Sequence, residues 1–230
     1  MCGRFGFFEL KYFIEQLRQL DLPFEEDDGF HFNPGFNIAP GSRIAILKGN
    51  HDSNVFANAG WGLVPHWSEH LPKVRPINAR AESIAVKPYF RHALNRNHCL
   101  VPASGFYEWK ESPGGKKLPW YVHRADNKPM AFAGLWESWT PADNASEALH
   151  TCTIITTTAN REMRAIHQRM PVILEPDTWR IWLDSANQDN RSLLVTPEDE
   201  ILDLYPVSTK VNNPRYISKD CIERVNDETA

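Results

Sequence analysis

After Gly29 the chain breaks into short apolar runs separated by Gly and Pro, and this texture limits most of it to strands. Candidate runs are Arg43–Lys48, Val55–Leu63, Cys99–Ala103, Gly105–Lys110, Trp120–His123, Met130–Trp136 and His150–Thr156, each bounded by turn-forming residues. Ser112-Pro113-Gly114-Gly115 predicts a hairpin joining Gly105–Lys110 to Trp120–His123. One amphipathic helix comes first: Leu10, Phe13, Ile14, Leu17 and Leu20 recur at helical spacing and predict a helix over 9–20. Further helices are expected at about 81–94, 175–185 and 197–202, with Trp179 and Trp182 on a core face. The strand–helix alternation is too irregular for a doubly wound fold. The expectation is one α+β domain over 1–230, built on a mixed or antiparallel sheet, with a mobile polar tail over about 212–230.

A chain of 230 residues with 42% hydrophobic residues can bury a sizeable core, and 8 Trp and 12 Phe make that core aromatic. The net charge of −4 lacks the basic surplus of proteins that coat duplex DNA. Any nucleic-acid contact is therefore expected to be local, in a small basic groove. Cys2, Cys99, Cys152 and Cys221 form no Cys-x-x-Cys pair and suit neither a zinc site nor a compact disulfide scaffold. The start lacks the layout of a signal peptide, and no apolar run reaches the roughly 18 residues of a membrane helix. The chain reads as a cytoplasmic protein, monomeric and with no membrane partner.

Several groups could carry chemistry. Removal of Met1 would leave Cys2 with an amine and a thiol on adjacent carbons. Their ordinary pKa values, about 7.7–8.0 and 8.5, leave both partly reactive at neutral pH. Such a 1,2-aminothiol condenses with an aldehyde to an imine, and the sulfur then closes a thiazolidine ring. The alternative is that Cys2 is a small apolar residue near a strand start. In Gly105-Phe106-Tyr107-Glu108-Trp109-Lys110, alternation puts Phe106, Glu108 and Lys110 on one face. Glu108 is then either a desolvated proton-transfer acid or the partner of Lys110. His167, in Ile166-His167-Gln168-Arg169-Met170-Pro171, is a core histidine or an acid–base group, and Arg169 could clamp a phosphate. Asn78 could orient an amine or a sugar hydroxyl, or cap a helix, with Arg80 on the same face of an extended segment. Trp67 could stack on an unpaired base, although a buried ring is the commoner role. Asn33–Pro40 reads as a rigid loop. His66 and His70 could be a metal pair, but no third ligand is evident and no metal is expected.

Taken in order, Met-Cys-Gly-Arg-Phe, Phe36-Asn37-Ile38-Ala39-Pro40, Trp61-Gly62-Leu63-Val64-Pro65, Ile77-Asn78-Ala79-Arg80-Ala81-Glu82, Gly105-Phe106-Tyr107-Glu108-Trp109 and Ile166-His167-Gln168-Arg169-Met170-Pro171 resemble the SRAP (SOS response-associated peptidase) family. The resemblance runs from residue 2 to about 210 and implies a barrel-like sheet with flanking helices. It implies that Cys2, once Met1 is gone, crosslinks to the ring-opened sugar of an abasic site in single-stranded DNA. By the same resemblance Asn78 positions the sugar and the amine, Glu108 moves protons and His167 assists at the sugar hydroxyl. Arg80 and Arg169 would contact the DNA backbone, Trp67 would stack, and Arg4 would add a phosphate contact. Gln168 departs from the aspartate that many members carry. No metal or organic cofactor is implied. The competing reading, which the family's name suggests, is a thiol peptidase with Cys2 as amino-terminal nucleophile, with self-processing as its narrowest form; a plain single-strand binding module is a third.

Overall fold

Five of the seven apolar runs pair into a closed barrel, which leaves no row of backbone donors and acceptors open along its circumference. The computed structural model describes residues 2–49, 53–112, 114–141 and 147–225. In chain order its strands are β1 (Phe5–Phe7), β2 (Phe24–Glu26), β3 (Gly35–Ile38), β4 (Arg43–Lys48), β5 (Asn54–Trp61), β6 (Asn78–Arg80), β7 (His98–Ala103), β8 (Gly105–Glu111), β9 (Lys117–Arg124), β10 (Met130–Trp139), β11 (Leu149–Thr158), β12 (Arg169–Pro171), β13 (Ile173–Leu174) and β14 (Leu202–Pro206). The helices are α1 (Leu10–Gln19), α2 (Pro88–Arg96), the single turn α3 (Arg161–Arg164) and α4 (Trp179–Leu183).

Strands β5, β4, β7, β10 and β11 run antiparallel in succession. The ring closes where β11 pairs in parallel with β5, through Thr151↔Gly60 and Cys152↔Trp61. Every residue of β10 from Met130 to Leu135 is buried, the signature of a strand covered on both faces. Ile46, Leu47, Phe56, Trp61 and Phe132 are all at or below 1% exposure, and each such side chain contributes roughly 1.5–3 kcal/mol by leaving water. α1 adds Phe13, which stacks on Trp179 at 4.9 Å. Trp179 and Trp182 of α4 are fully buried, as expected from their spacing.

A second, antiparallel sheet runs β14-β9-β8-β1-β3 and contains the predicted hairpin, β8 with β9. Its turn is closed by Ser112 and Lys116; Pro113 lies outside the described residues. Phe5 packs edge-on against Trp61 at 5.2 Å, and Phe106 against Phe132 at 5.9 Å, so the inner face of this sheet lies on the barrel. The outer face carries Tyr107 and Tyr121, with Trp109 packed against them, as alternation requires. Gly105 lets the Tyr121 ring cross the backbone, because a Cβ there would collide with it.

Four expectations are corrected. The helix expected at 81–94 begins only at Pro88, after turns over 81–86; proline takes the first helical position and holds Lys87 extended. The helix expected at 197–202 is a turn leading into β14, since Glu200 takes a left-handed φ of 69° and Arg161 draws its carboxylate away. The tail expected to be mobile from about 212 is packed in its described part. The Asn37 side-chain amide donates to the carbonyls of Val211, Asn213 and Tyr216 at 2.7–3.2 Å, and Cys221 is buried with Val207 and Val211 against Tyr107. Residues 226–230 lie outside the described residues. Asn33–Pro40, read as a loop, contains β3, which pairs with β1.

Candidate active site

Cys2 sits where the two sheets meet. β1 is pinned between β3 and β8, and the Tyr107 N–H donates to the Arg4 carbonyl at 2.9 Å. This pairing carries Cys2 to the seam, where it is fully buried. Asn78 arrives from the barrel side: β6 is held in parallel on β11, with Asn78 opposite Ile154 and Arg80 opposite Thr156. The Asn78 Nδ2 donates to the Cys2 carbonyl at 2.8 Å. Its Oδ1 is buried with no hydrogen-bond partner among the described residues, which leaves an acceptor pointing into the seam.

Glu108 comes from β8 and is 4% exposed. Burial is the main influence on its carboxyl and pushes the pKa up to about 7, against the pull of the Trp109 backbone N–H. Lys110, the alternative partner considered for it, is exposed and lies over the Trp120 ring at 5.1 Å. Burial, followed by the charge of Glu108, pushes the Cys2 thiol far above its ordinary value. The partly ionised thiol expected from free cysteine is therefore overridden, and the sulfur carries its proton at neutral pH.

His167 lies two residues before the start of β12, which runs beside β11. The Arg169 backbone N–H donates to its Nδ1 at 2.9 Å, so the neutral ring carries its proton on Nε2. The Arg169 carbonyl lies 3.1 Å from the same Nδ1 and would accept from it in the charged form. Burial lowers the histidine's pKa, and the charges of Lys117 on β9 and of Arg169 lower it further. The ring is thus held neutral at pH 7 and within the field of the second sheet.

The cations and aromatics fall into two groups. Arg80 and Trp67 face solvent, Trp67 at 55% exposure with its edge toward Tyr89. Arg169 and Arg4 are engaged within the protein. Arg169 makes a two-pronged bond to Glu82 and donates to the Thr156 carbonyl at 2.7 Å. Arg4 donates to Asn37 Oδ1 at 2.8 Å and to the Val211 carbonyl at 2.7 Å, and lies over Trp109. In this arrangement Arg4 ties β1 to the tail, which is structural work. Glu82, to which the sequence reading gave no role, orients Arg169; the only signal was its place two residues after Arg80. A cavity of about 620 Å³ lined by Lys48, Trp136 and Arg180 among others shares no residue with this set.

The chain was compared with known proteins. The family model for SOS response associated peptidase (SRAP) matches residues 1–214. Abasic site processing protein YoqW of Bacillus subtilis is 39% identical over 97% of this chain and 99% of its own length. Abasic site processing protein YoaM of the same organism is 36% identical over 98% and 99%. A crystal structure of a protein from Bacteroides thetaiotaomicron superposes with a TM-score of 0.74 at 27% identity, covering 84% of this chain and 86% of that one. Sequence, motif order and fold agree: the chain belongs to the SRAP family.

Proposed function

We propose that this protein processes abasic sites in single-stranded DNA by forming a covalent thiazolidine crosslink through Cys2 after Met1 has been removed. The observation that carries the reading is the seam itself. The Cys2 backbone is fixed by Asn78 at 2.8 Å, beside a buried carboxyl that titrates at about 7. A group half-protonated at neutrality both gives and takes protons, which imine formation requires. The names of the relatives, abasic site processing proteins, point to the same substrate.

In this mechanism Glu108 and His167 assist opening of the abasic sugar to its aldehyde. The α-amine of Cys2 adds to C1′, and loss of water gives an imine. The Cys2 thiol then adds across the C=N bond: sulfur bonds to carbon and its proton passes, through Glu108, to nitrogen. The ring closes with no net proton change, so a thiol that stays protonated until the imine forms suits the step. Asn78 holds the terminus in line, Arg80 meets the strand's phosphates and Trp67 stacks on a base. Arg169, held by Glu82, exchanges part of that pairing for phosphate when DNA binds. Met1 lies outside the described residues; with it attached the amine belongs to methionine and the ring cannot form.

The test is intact mass before and after mixing the protein with an abasic single-stranded oligonucleotide. A protein confirmed to begin at Cys2 should give a denaturation-resistant adduct, and Cys2→Ala should give none. Absence of adduct from the trimmed protein would overturn the reading in favour of an amino-terminal thiol peptidase. Equal adduct yield from Cys2→Ala would remove Cys2 from the chemistry.

A further inference from the structure

His66, from the Pro65-His66-Trp67 loop, and His92, on α2, converge on Glu137 of β10. His66 Nδ1 lies 3.4 Å from one carboxylate oxygen and His92 Nδ1 lies 3.0 Å from the other. The two imidazole centroids are 3.9 Å apart, and a donor atom from each of the three residues lies within 4.8 Å of the others. The Glu137 side chain is 1% exposed, while the histidines above it are 42% and 37% exposed. A buried carboxylate is thus roofed by two imidazoles that solvent reaches. His70, the sequence neighbour of His66, does not belong to the group.

We propose that His66, His92 and Glu137 form a binding site for a divalent cation of the zinc type. A tetrahedral ion with ligands at about 2.0–2.2 Å places its donor atoms roughly 3.3–3.6 Å apart, close to the 3.4 and 3.0 Å between the carboxylate and the two rings. Two imidazoles and one carboxylate select a borderline cation such as Zn²⁺ over Mg²⁺ or Ca²⁺, which prefer oxygen. Three protein ligands leave the fourth position to water, and the exposed side of the rings is the way in. Neighbouring contacts already define the cage. Trp139 Nε1 donates to the Ser68 carbonyl at 2.6 Å and Tyr89 Oη to the Leu63 carbonyl at 2.9 Å, so the loop is moored on both sides of His66. The ion would lock this loop to α2 and β10. Since Trp67 follows His66, the lock would also fix the exposed ring; that consequence alone rests on the proposed function, and the metal site does not.

The alternative arrangement is a pair of ordinary His–Glu hydrogen bonds, and titration separates the two. Zn²⁺ alone is titrated calorimetrically into metal-stripped full-length protein carrying Cys2→Ala, which prevents chelation by a terminal aminothiol. One equivalent should bind in the micromolar range or tighter. Co²⁺ should give visible bands of nitrogen and oxygen ligation without a thiolate charge-transfer band. His92→Ala, at a half-exposed position that spares the core, should weaken Zn²⁺ binding about 100-fold or more, beyond the 10–100-fold typical of supporting residues. Glu137→Gln should do the same in protein whose circular dichroism is unchanged. Absence of a one-equivalent site, or equal affinity in His92→Ala, overturns the proposal. Either result leaves the Cys2 adduct assay unaffected, so failure here and failure of the proposed function are distinguishable.

Discussion

The barrel interior and the seam are equally dry, and each buries a cysteine. Cys152 on β11 and Cys2 both have no exposed surface. Burial alone raises the Cys152 thiol. At Cys2 the charge of Glu108 adds to burial, and a backbone hydrogen bond with Arg4 opposes both. Around Cys152 the strands Met130–Leu135 and Thr151–Thr157 are buried without a break, and the cysteine serves as a small apolar filler. Around Cys2 lie a buried carboxyl near neutrality and an amide oxygen left without a partner among the described residues. Burial by itself therefore does not separate the two cysteines. What distinguishes the seam is the ionisable Glu108 carboxyl beside the cysteine, kept there at a cost in stability.

Substitutions can break this comparison. The largest contrast is between the cysteines: Cys2→Ala should abolish the adduct, while Cys152→Ala should leave adduct yield unchanged and lower stability by about 1 kcal/mol. Loss of adduct in a folded Cys152→Ala protein would erase the distinction. Next, Glu108→Gln should slow adduct formation about 100-fold and remove an inflection near pH 7 from the rate profile, measured by quenched gel assays. Asn78→Ala should slow it about tenfold, the scale of one well-placed hydrogen bond of about 1.4 kcal/mol. A rate unchanged within twofold would free the terminus from Asn78.

The last contrast concerns stability. The folded Glu108 carboxyl, at about 7 against an ordinary 4.5, takes up protons on folding. Its contribution is fully present below pH 4.5 and falls as pH rises to about 7, by up to ~3 kcal/mol. Glu108→Gln should therefore gain stability relative to the parent at pH 8 and show no such gain at pH 4 in urea titrations. Parallel stability profiles would mean that the carboxyl is not strained by its burial.

The barrel strands β4, β7 and β10 were legible because each is a continuous apolar run bounded by turn residues. β6 and β12, at 3 residues each, carry no periodicity, so the pairing that places Asn78, Arg80 and Arg169 around β11 could not be read from spacing. The residues of the seam were named from motifs, but their convergence is a property of closure: Cys2, Asn78 and Glu108 meet only when the second sheet docks on the barrel. The engagement of Arg169 with Glu82, and of Arg4 with Asn37 and Val211, was equally hidden, because each partner lies far away in sequence.

The pairing of β11 with both β5 and β6 also sets an order of events during synthesis. The seam around Cys2 needs Asn78, Glu108 and the sheets that support them, the last strand of which, β14, ends at Pro206. At about 5–20 residues per second the ribosome takes on the order of ten to forty seconds to reach that point. Through that interval the amino terminus is an open end on an unfinished chain, within reach of any enzyme that trims it. Once that sheet is complete, Cys2 has no exposed surface, so under the proposed function an abasic strand has to part the seam before it meets the amine.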